Sequence, residues 1–271
     1  MAVFRVLMAN IRRYLTEKRG KQAVIAPQWR GARFNQRLPR HMADPVISTR
    51  RDIMAETAER LGIEFVEVAA PDPMEGFPGT QQFITEDVPR QVAAFGQDTA
   101  FFGTSCSMQV PLITQVVETG AIFPEQCCPK AGHGFPAALE VDDRVGVVYG
   151  EEDRFGNREI LDWGRRLVHE ELIPAIRTEI AARGATGRLA TWSVSESTAY
   201  TAVGAEYAIE WLNGNVPREH GVIDMDVLNR IFEEHILEIT GEHLGVELHP
   251  FSHDDRSWRN YVLVVMDSIV F

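Results

Sequence analysis

Long hydrophobic runs are missing from this sequence of 271 residues. No apolar run approaches the roughly 20 residues that a membrane-spanning helix needs. The most apolar early stretch, residues 3–11, contains Arg5 and is followed by Arg12 and Arg13, which is unlike a cleaved signal peptide. As the sequence stands, we therefore expect a cytoplasmic protein without a membrane span.

Cysteines are also few. The three present, Cys106, Cys127 and Cys128, cannot all pair within one chain, and the adjacent Cys127 and Cys128 could join only through a strained ring. A small disulfide-stapled protein is thereby excluded, and a reducing compartment is predicted.

Basic residues are outnumbered, with 27 Lys and Arg against 39 Asp and Glu, which gives a formal net charge of −12. A field of that sign repels nucleic acid and anionic lipid, so neither is an expected partner. The glycine patterns of phosphate loops and dinucleotide folds are missing, as are His-Glu-x-x-His and Gly-x-Ser-x-Gly. The sequence thus argues against an NTPase or a nicotinamide enzyme, and no cofactor is predicted.

What the sequence does contain is an alternation of short apolar runs with helix-period segments that end at glycine. This alternation is typical of βαβ units and predicts an α/β fold with a mostly parallel, doubly wound sheet. Hydrophobic residues make up 45% of the chain, enough for a large core. Strands are predicted at residues 23–26, 63–68, 100–102, 121–123 and 189–192.

The predicted helices of the first half cover residues 49–61, 81–95 and 105–119. Pro89 is expected to kink or restart the second helix, and Ser105 or Ser107 to cap the third. An apolar stripe from Ile160 to Ile180 predicts one long amphipathic helix, bent at Pro174. Further helices are predicted at residues 198–212 and 224–237, and further strands at 246–249 and 261–266.

These elements divide the chain into three parts. Residues 1–20 form a predicted N-terminal helical extension, and residues 21–192 form the main α/β lobe with a helical insertion at about 141–187. Residues 193–271 supply returning helices and terminal strands, which we interpret as an incomplete second lobe.

Ligands of parallel sheets bind beyond the carboxyl ends of the strands, so the loops after the strands supply candidate residues. Structural alternatives stay open: a solvated basic loop for Arg40 and His41, a turn for Asp72, and plain core for Trp192. The residues predicted to bind a polar ligand are Arg40, His41, Asp72, Thr104, Ser105, Cys106, Gln109, Glu125, Gln126 and Trp192.

The cysteines could instead carry chemistry. Cys106 precedes a helix start, where backbone N–H groups and the helix dipole favour a thiolate, so a nucleophile is the alternative to a packed thiol. Cys127, Cys128 and His133 have the chemistry of zinc ligands, but adjacent cysteines rarely direct both sulfurs to one ion. We predict no catalytic residue, with Cys106 of a thiol enzyme as the alternative, and no metal.

Several blocks of sequence, in order between residues 21 and 271, carry a resemblance. They include Pro-Arg-His-Met at 39–42, Arg-Arg-Asp-Ile at 50–53, Gln-Gln-Phe-Ile at 81–84, Glu-Asp-Val-Pro-Arg-Gln at 86–91, Cys-Ser-Met-Gln at 106–109, Pro-Glu-Gln-Cys-Cys-Pro at 124–129 and Met-Asp-Ser at 266–268. With these blocks the chain resembles an uncharacterised bacterial family whose members resemble type I periplasmic binding proteins and are often lipoproteins. The resemblance implies a hinged α/β receptor fold that closes over a small molecule, present here as the C-terminal lobe plus a partial N-terminal lobe.

The chain departs from that pattern before Lys21, where relatives carry a signal and most of a first βαβ lobe. A truncated N-terminus would place the protein outside the cytoplasm. The helices at 198–212 and 224–237 would then expose apolar surface unless another subunit covers it, so a homodimer or larger homo-oligomer is expected. The leading hypothesis is a non-catalytic binding protein for a polar small molecule.

Overall fold

A computed structural model describes residues 36–37, 45–60, 62–72, 77–141, 149–152, 158–160, 166–216, 222–253 and 256–271. The fold is mixed α/β. Its helices are α1 (Pro45–Arg60), α2 (Phe77–Phe95), α3 (Gln109–Thr119), α4 (Phe135–Leu139), α5 (Ile173–Ala182), α6 (Glu196–Leu212) and α7 (Met225–Thr240). Its strands are β1 (Gln36–Arg37), β2 (Val68–Ala69), β3 (Tyr149–Glu152), β4 (Arg158–Ile160), β5 (Ala190–Trp192), β6 (Val246–His253), β7 (Arg256–Met266) and β8 (Ser268–Val270).

The predicted parallel order of three chain segments is confirmed at the centre of the fold. Ala100 pairs in parallel with Ile122, and Phe123 pairs in parallel with Leu189 at the start of β5. Backbone hydrogen bonds from Phe101 N to Ile122 O, 2.9 Å, and from Ala190 N to Phe123 O, 2.9 Å, join the three segments. Their carboxyl ends therefore lie at one edge, as the βαβ pattern requires.

The predicted mostly parallel, doubly wound sheet is confirmed only in part, because three of the four pairs of named strands in the described residues are antiparallel. β8 runs antiparallel to β5, with Ala190 opposite Val270 and Trp192 opposite Ser268. β8 was not predicted: the last predicted strand, 261–266, ends where β7 ends, and only Asp267 stands between β7 and β8. Separately, β1 and β2 form a short parallel pair. The strand predicted at 23–26 lies outside the described residues.

Two helix predictions differ from the structure. α2 is one continuous helix through Pro89, so the predicted restart does not occur there. Ile84 and Val88 are fully buried and anchor this helix to the core. The helix predicted to begin at Ile160 is wrong at its start, since β4 pairs there in antiparallel fashion with β3, Ile160 opposite Tyr149. Among the described residues of this insertion, a π-helical segment, Arg166–Leu172, is followed by α5, where Pro174 occupies the first turn, which tolerates proline.

Two apolar clusters stabilise the described part of the chain. The first gathers side chains from α2, α3, α4 and α5 around the three parallel segments, with Phe123 and Phe135 among its fully buried members. The second gathers side chains from α6, α7 and the β6–β7 hairpin around Trp192. Within the described residues, no helix has the length and apolar character to cross a membrane.

Candidate functional site

Buried polar side chains collect at the carboxyl ends of the three parallel segments. After the first segment the chain turns through a short 3-10 helix, Cys106–Met108, into α3. After the second it forms the loop 124–134, and after β5 it bends at 193–194. The buried polar residues of these loops and strand ends are Thr104, Ser105, Ser107, Gln109, Glu125, Gln126, His133, Thr191 and Ser193.

Gln126 connects the second loop to β5. Its side-chain nitrogen donates to the carbonyls of Lys130, 3.0 Å, and His133, 2.9 Å, and its side-chain oxygen accepts from Thr191 Oγ1 at 2.8 Å. Gln126 is fully buried, so these bonds are made in a region of low dielectric where an unpaired amide would be costly. The side chain therefore holds the loop 124–134 against the end of β5.

Gln109, also fully buried, has a fixed orientation at the first loop. Its Nε2 donates to the carbonyls of Gly103, 3.2 Å, and Ser105, 2.7 Å. Carbonyl oxygens only accept hydrogen bonds, so the amide cannot flip, and its Oε1 must lie on the opposite side. Among the described residues Oε1 has no hydrogen-bond partner.

Two glycines allow the loops to approach α3. A Cβ at Gly103 would stand 2.7 Å from Leu112 Cδ1, and a Cβ at Gly134 would stand 3.1 Å from Gln109 Cβ. Gly134 also has φ of +83°, which L side chains rarely adopt. These positions bring the loop 124–134 against the first turn of α3.

A thiol and imidazole cluster lies in the same loops. Sγ of Cys106 is 3.7 Å from Sγ of Cys127, and His133 completes a group whose ligand atoms lie within 4.8 Å of one another. His133 Nδ1 is 2.9 Å from the carbonyl oxygen of Cys128. His133 is buried, Cys106 and Cys127 are half-buried, and Cys128 is exposed.

The neighbouring thiols control the protonation of Cys127. Hydrogen bonds with the side chains of Cys106 and Cys128 are the main reason why the pKa of Cys127 is raised well above its usual value, and burial raises it further. Cys127 is therefore a protonated thiol at neutral pH. An activated nucleophile would require the opposite shift.

The structure brings most of the predicted site residues together and leaves others apart. Thr104, Ser105, Cys106, Gln109, Glu125 and Gln126 all lie in the two adjacent loops. Asp72 follows β2, and Arg40 and His41 lie outside the described residues. Trp192 is a member of the second apolar cluster and is 4% exposed, which matches the core alternative.

The expected serine cap is wrong in detail. Ser105 stands at the start of the 3-10 helix, but its side chain makes no capping bond there; its Oγ lies 3.0 Å from Ser107 Oγ. Sequence reasoning also missed the pairing of Cys106 with Cys127 and the parts played by Thr191 and Ser193. The sequence did contain a signal for the cysteine pairing. Cys106 follows Phe102, and Cys127 follows Phe123, by the same number of residues, and the two segments are neighbours in parallel.

The sequence of this chain matches known proteins over part of its length. Residues 18–146 match a family described as "Protein of unknown function (DUF3798)". That range includes the loops after the first two parallel segments, with Cys106, Cys127 and His133. An "Uncharacterized protein" of Treponema pallidum (strain Nichols) is 29% identical over 124 residues, which are 45% of this chain and 53% of that protein. The chain thus matches about half the length of this relative, and the likeness to an uncharacterised bacterial family is supported.

A solved structure has the same fold. It is described as the crystal structure of a "Putative transcriptional regulator" from Clostridium difficile 630, with a TM-score of 0.68 and 21% identity. The similarity covers 97% of this chain and 65% of that chain. At this identity the similarity concerns the fold alone.

Proposed function

We propose that this protein binds a polar small molecule at the carboxyl ends of its three parallel segments, in the manner of the type I periplasmic binding proteins that its sequence blocks resemble. The observation that carries the proposal is Gln109 Oε1, a buried acceptor whose direction is fixed by two carbonyls and which has no partner among the described residues. Such an atom costs about 1–3 kcal/mol if it stays unpaired. A ligand that donates an N–H or O–H group would recover that cost.

A second buried polar atom supports the same region. Ser193 Oγ, just after β5, also lacks a hydrogen-bond partner among the described residues. Ser193 directly follows β5, and Thr191 within β5 donates its hydroxyl hydrogen to Gln126, so both residues lie at the carboxyl end of the third parallel segment. The ligand would therefore be a molecule with both donor and acceptor groups, such as a nucleoside, sugar, amino acid or carboxylate.

The alternative is a thiol enzyme that uses Cys106. An activated Cys106 would need a base beside it, and its neighbour Cys127, 3.7 Å away, does not supply one, because the pKa of Cys127 is raised by its thiol neighbours. Binding without covalent chemistry is the function that suits the buried amide and hydroxyl groups better.

The proposed homo-oligomer has one supporting observation. The end of α6, one of the helices expected to expose apolar surface, carries Ile209 at 50%, Trp211 at 45% and Leu212 at 67% exposure. A second copy of the chain that covers this helix end would remove that surface from water. Light scattering at micromolar concentration tests it, and a strictly monomeric species contradicts it.

A thermal-shift screen of nucleosides, sugars, amino acids and carboxylates tests the binding proposal. A ligand at a hundredfold above its Kd adds roughly 2.7 kcal/mol of stability. The shift should disappear in Gln109→Met and persist in Gln115→Met. Gln115 is a matched control, because it is a buried glutamine of the same helix whose Nε2 donates to Glu118 Oε2 at 2.7 Å. A screen without a hit, or a hit that Gln109→Met retains, contradicts the proposed site.

A further inference from the structure

The thiol and imidazole cluster of Cys106, Cys127 and His133 has the donor set of a thiophilic metal centre. Two sulfurs and one imidazole nitrogen lie within 4.8 Å of one another. Zinc takes such ligands in tetrahedral sites, at about 2.3 Å for sulfur and about 2.0–2.1 Å for nitrogen. We propose that Cys106, Cys127 and His133 bind Zn²⁺.

The separation of the sulfurs fits that geometry. Two ligands at about 2.3 Å with a tetrahedral angle between them are roughly 3.8 Å apart. The observed distance from Cys106 Sγ to Cys127 Sγ is 3.7 Å, so the two sulfurs already have the separation of two ligands of one tetrahedral zinc ion. The same calculation gives about 3.6 Å between sulfur and imidazole nitrogen, and the three ligand atoms already lie within 4.8 Å of one another.

The hydrogen bond of His133 prepares the ring to be a ligand. Nδ1 lies 2.9 Å from the carbonyl oxygen of Cys128. Because a carbonyl can only accept, Nδ1 carries the proton, and the lone pair of the neutral ring is on Nε2. Metal-binding histidines almost always donate their other ring N–H to such an acceptor, which fixes the tautomer and the ring orientation.

The backbone of the ligand loops is held independently of any metal. Gln126 bonds the carbonyls of Lys130 and His133, and this fixes the loop that carries Cys127 and His133. Gln109 bonds the carbonyls of Gly103 and Ser105 on either side of the turn that leads to Cys106. The three ligands are therefore presented by two loops that the fold itself positions, so little ordering is needed on binding.

The coordination can be written with charges balanced. Zn²⁺ takes the place of two thiol protons, which leave to solvent, and the ion with its two thiolates and neutral imidazole has no net charge. Three protein ligands leave the fourth position to water or to a small molecule, the arrangement of reactive rather than purely structural zinc sites. The inference stands independently of the proposed function, because it rests on the two thiols and the imidazole, and not on the unpaired Oε1 of Gln109 or Oγ of Ser193.

The first experiment needs no variant. The full chain is reduced, treated with a chelator, and titrated with Co²⁺ and then Zn²⁺. We expect one equivalent of Co²⁺ to give a thiolate-to-cobalt charge-transfer band that Zn²⁺ abolishes. Iodoacetamide with mass spectrometry should then show that Zn²⁺ protects Cys106 and Cys127 while Cys128 is alkylated.

Variants test the ligand assignment. Cys106→Ser and His133→Gln should each weaken Zn²⁺ binding by more than the roughly 10- to 100-fold that loss of an outer-shell partner costs. Cys128→Ser is the matched control and should bind Zn²⁺ as the unaltered chain does.

Three results would overturn the proposal. One is a fully reduced chain that gives no saturable cobalt spectrum. Another is equal protection of all three thiols, and the third is loss of binding in Cys128→Ser alone. A Cys106–Cys127 disulfide that forms readily in air while reduced protein ignores Zn²⁺ would assign the pair to redox chemistry instead.

Discussion

Replacement of Gln126 by methionine tests whether the loop network of the candidate site exists as described. Methionine keeps the volume of the side chain and removes all three hydrogen bonds of the amide. The His133 carbonyl and the Thr191 hydroxyl would be left buried without these bonds, whereas the Lys130 carbonyl is partly accessible to water. At about 1–2 kcal/mol for each buried group, the expected loss is roughly 2–4 kcal/mol.

The loss is measured by urea unfolding, followed by tryptophan fluorescence and far-UV circular dichroism. For a chain of this length the same change lowers Tm by roughly 5–10 °C. Thr191→Val removes one bond of the network and should cost about 1–2 kcal/mol, while Thr191→Ser keeps the hydroxyl and should cost less than about 1 kcal/mol.

The double variant separates the network from general packing. Because Thr191→Val has already removed the hydroxyl that Gln126 pairs with, Gln126→Met should cost about 1 kcal/mol less in that background. The reasoning is refuted if Gln126→Met leaves stability within about 0.5 kcal/mol of the unaltered chain, or if the two substitutions are additive.

Three further predictions concern stability. Gly134→Ala should lower the free energy of unfolding by at least about 1 kcal/mol more than Gly184→Ala does. Both glycines have positive φ, but only at Gly134 would the new Cβ lie within 3.1 Å of neighbouring side chains. Equal losses of Tm in the two variants contradict this. Burial lowers the pKa of His235, so on acidification the unfolded chain binds the proton before the folded chain does, and stability falls as pH drops below about 6.5. The urea midpoint should therefore fall between about pH 7.5 and about pH 5.5, and it should fall less in His235→Gln. An equal fall in His235→Gln and the unaltered chain disproves the prediction. Asp224→Ala should lower stability by about 1 kcal/mol, since Asp224 caps α7 through two backbone amides, while Asp224→Asn should lose only a few tenths; a neutral alanine variant contradicts the cap.

Much of the site could be predicted because parallel strands have a local signature. Apolar runs separated by helix-period segments place the carboxyl ends of successive strands at one edge, and this rule selected the chain just after two strands, where Gln109 begins α3 and Glu125 and Gln126 lie in the loop 124–134. The alternation does not give the register between strands. The sequence therefore named no partner for Cys127, whereas the pairing of Ala100 with Ile122 brings Cys106 there.

The errors in the fold have a common cause, which is tertiary contact overriding a local pattern. Ile160 falls on a helical stripe, but pairing with Tyr149 makes it part of a strand. Pro89 is a helix breaker by itself, yet its buried neighbours keep α2 intact. The break between β7 and β8 is set by Asp267, whose carboxylate accepts from Gly245 N at 3.0 Å, a contact no local pattern displays.

The antiparallel pairing of β5 with β8 has a consequence for how the protein melts. At β5, Leu189 belongs to the first apolar cluster and Trp192 to the second. Around β8 the order is reversed, with Met266 before it in the second cluster and Phe271 after it in the first. Two adjacent stretches of backbone, hydrogen-bonded to each other, thus run from one cluster to the other. Neither stretch can unfold without breaking the backbone hydrogen bonds of the other. Calorimetry should accordingly record a single cooperative heat-absorption peak.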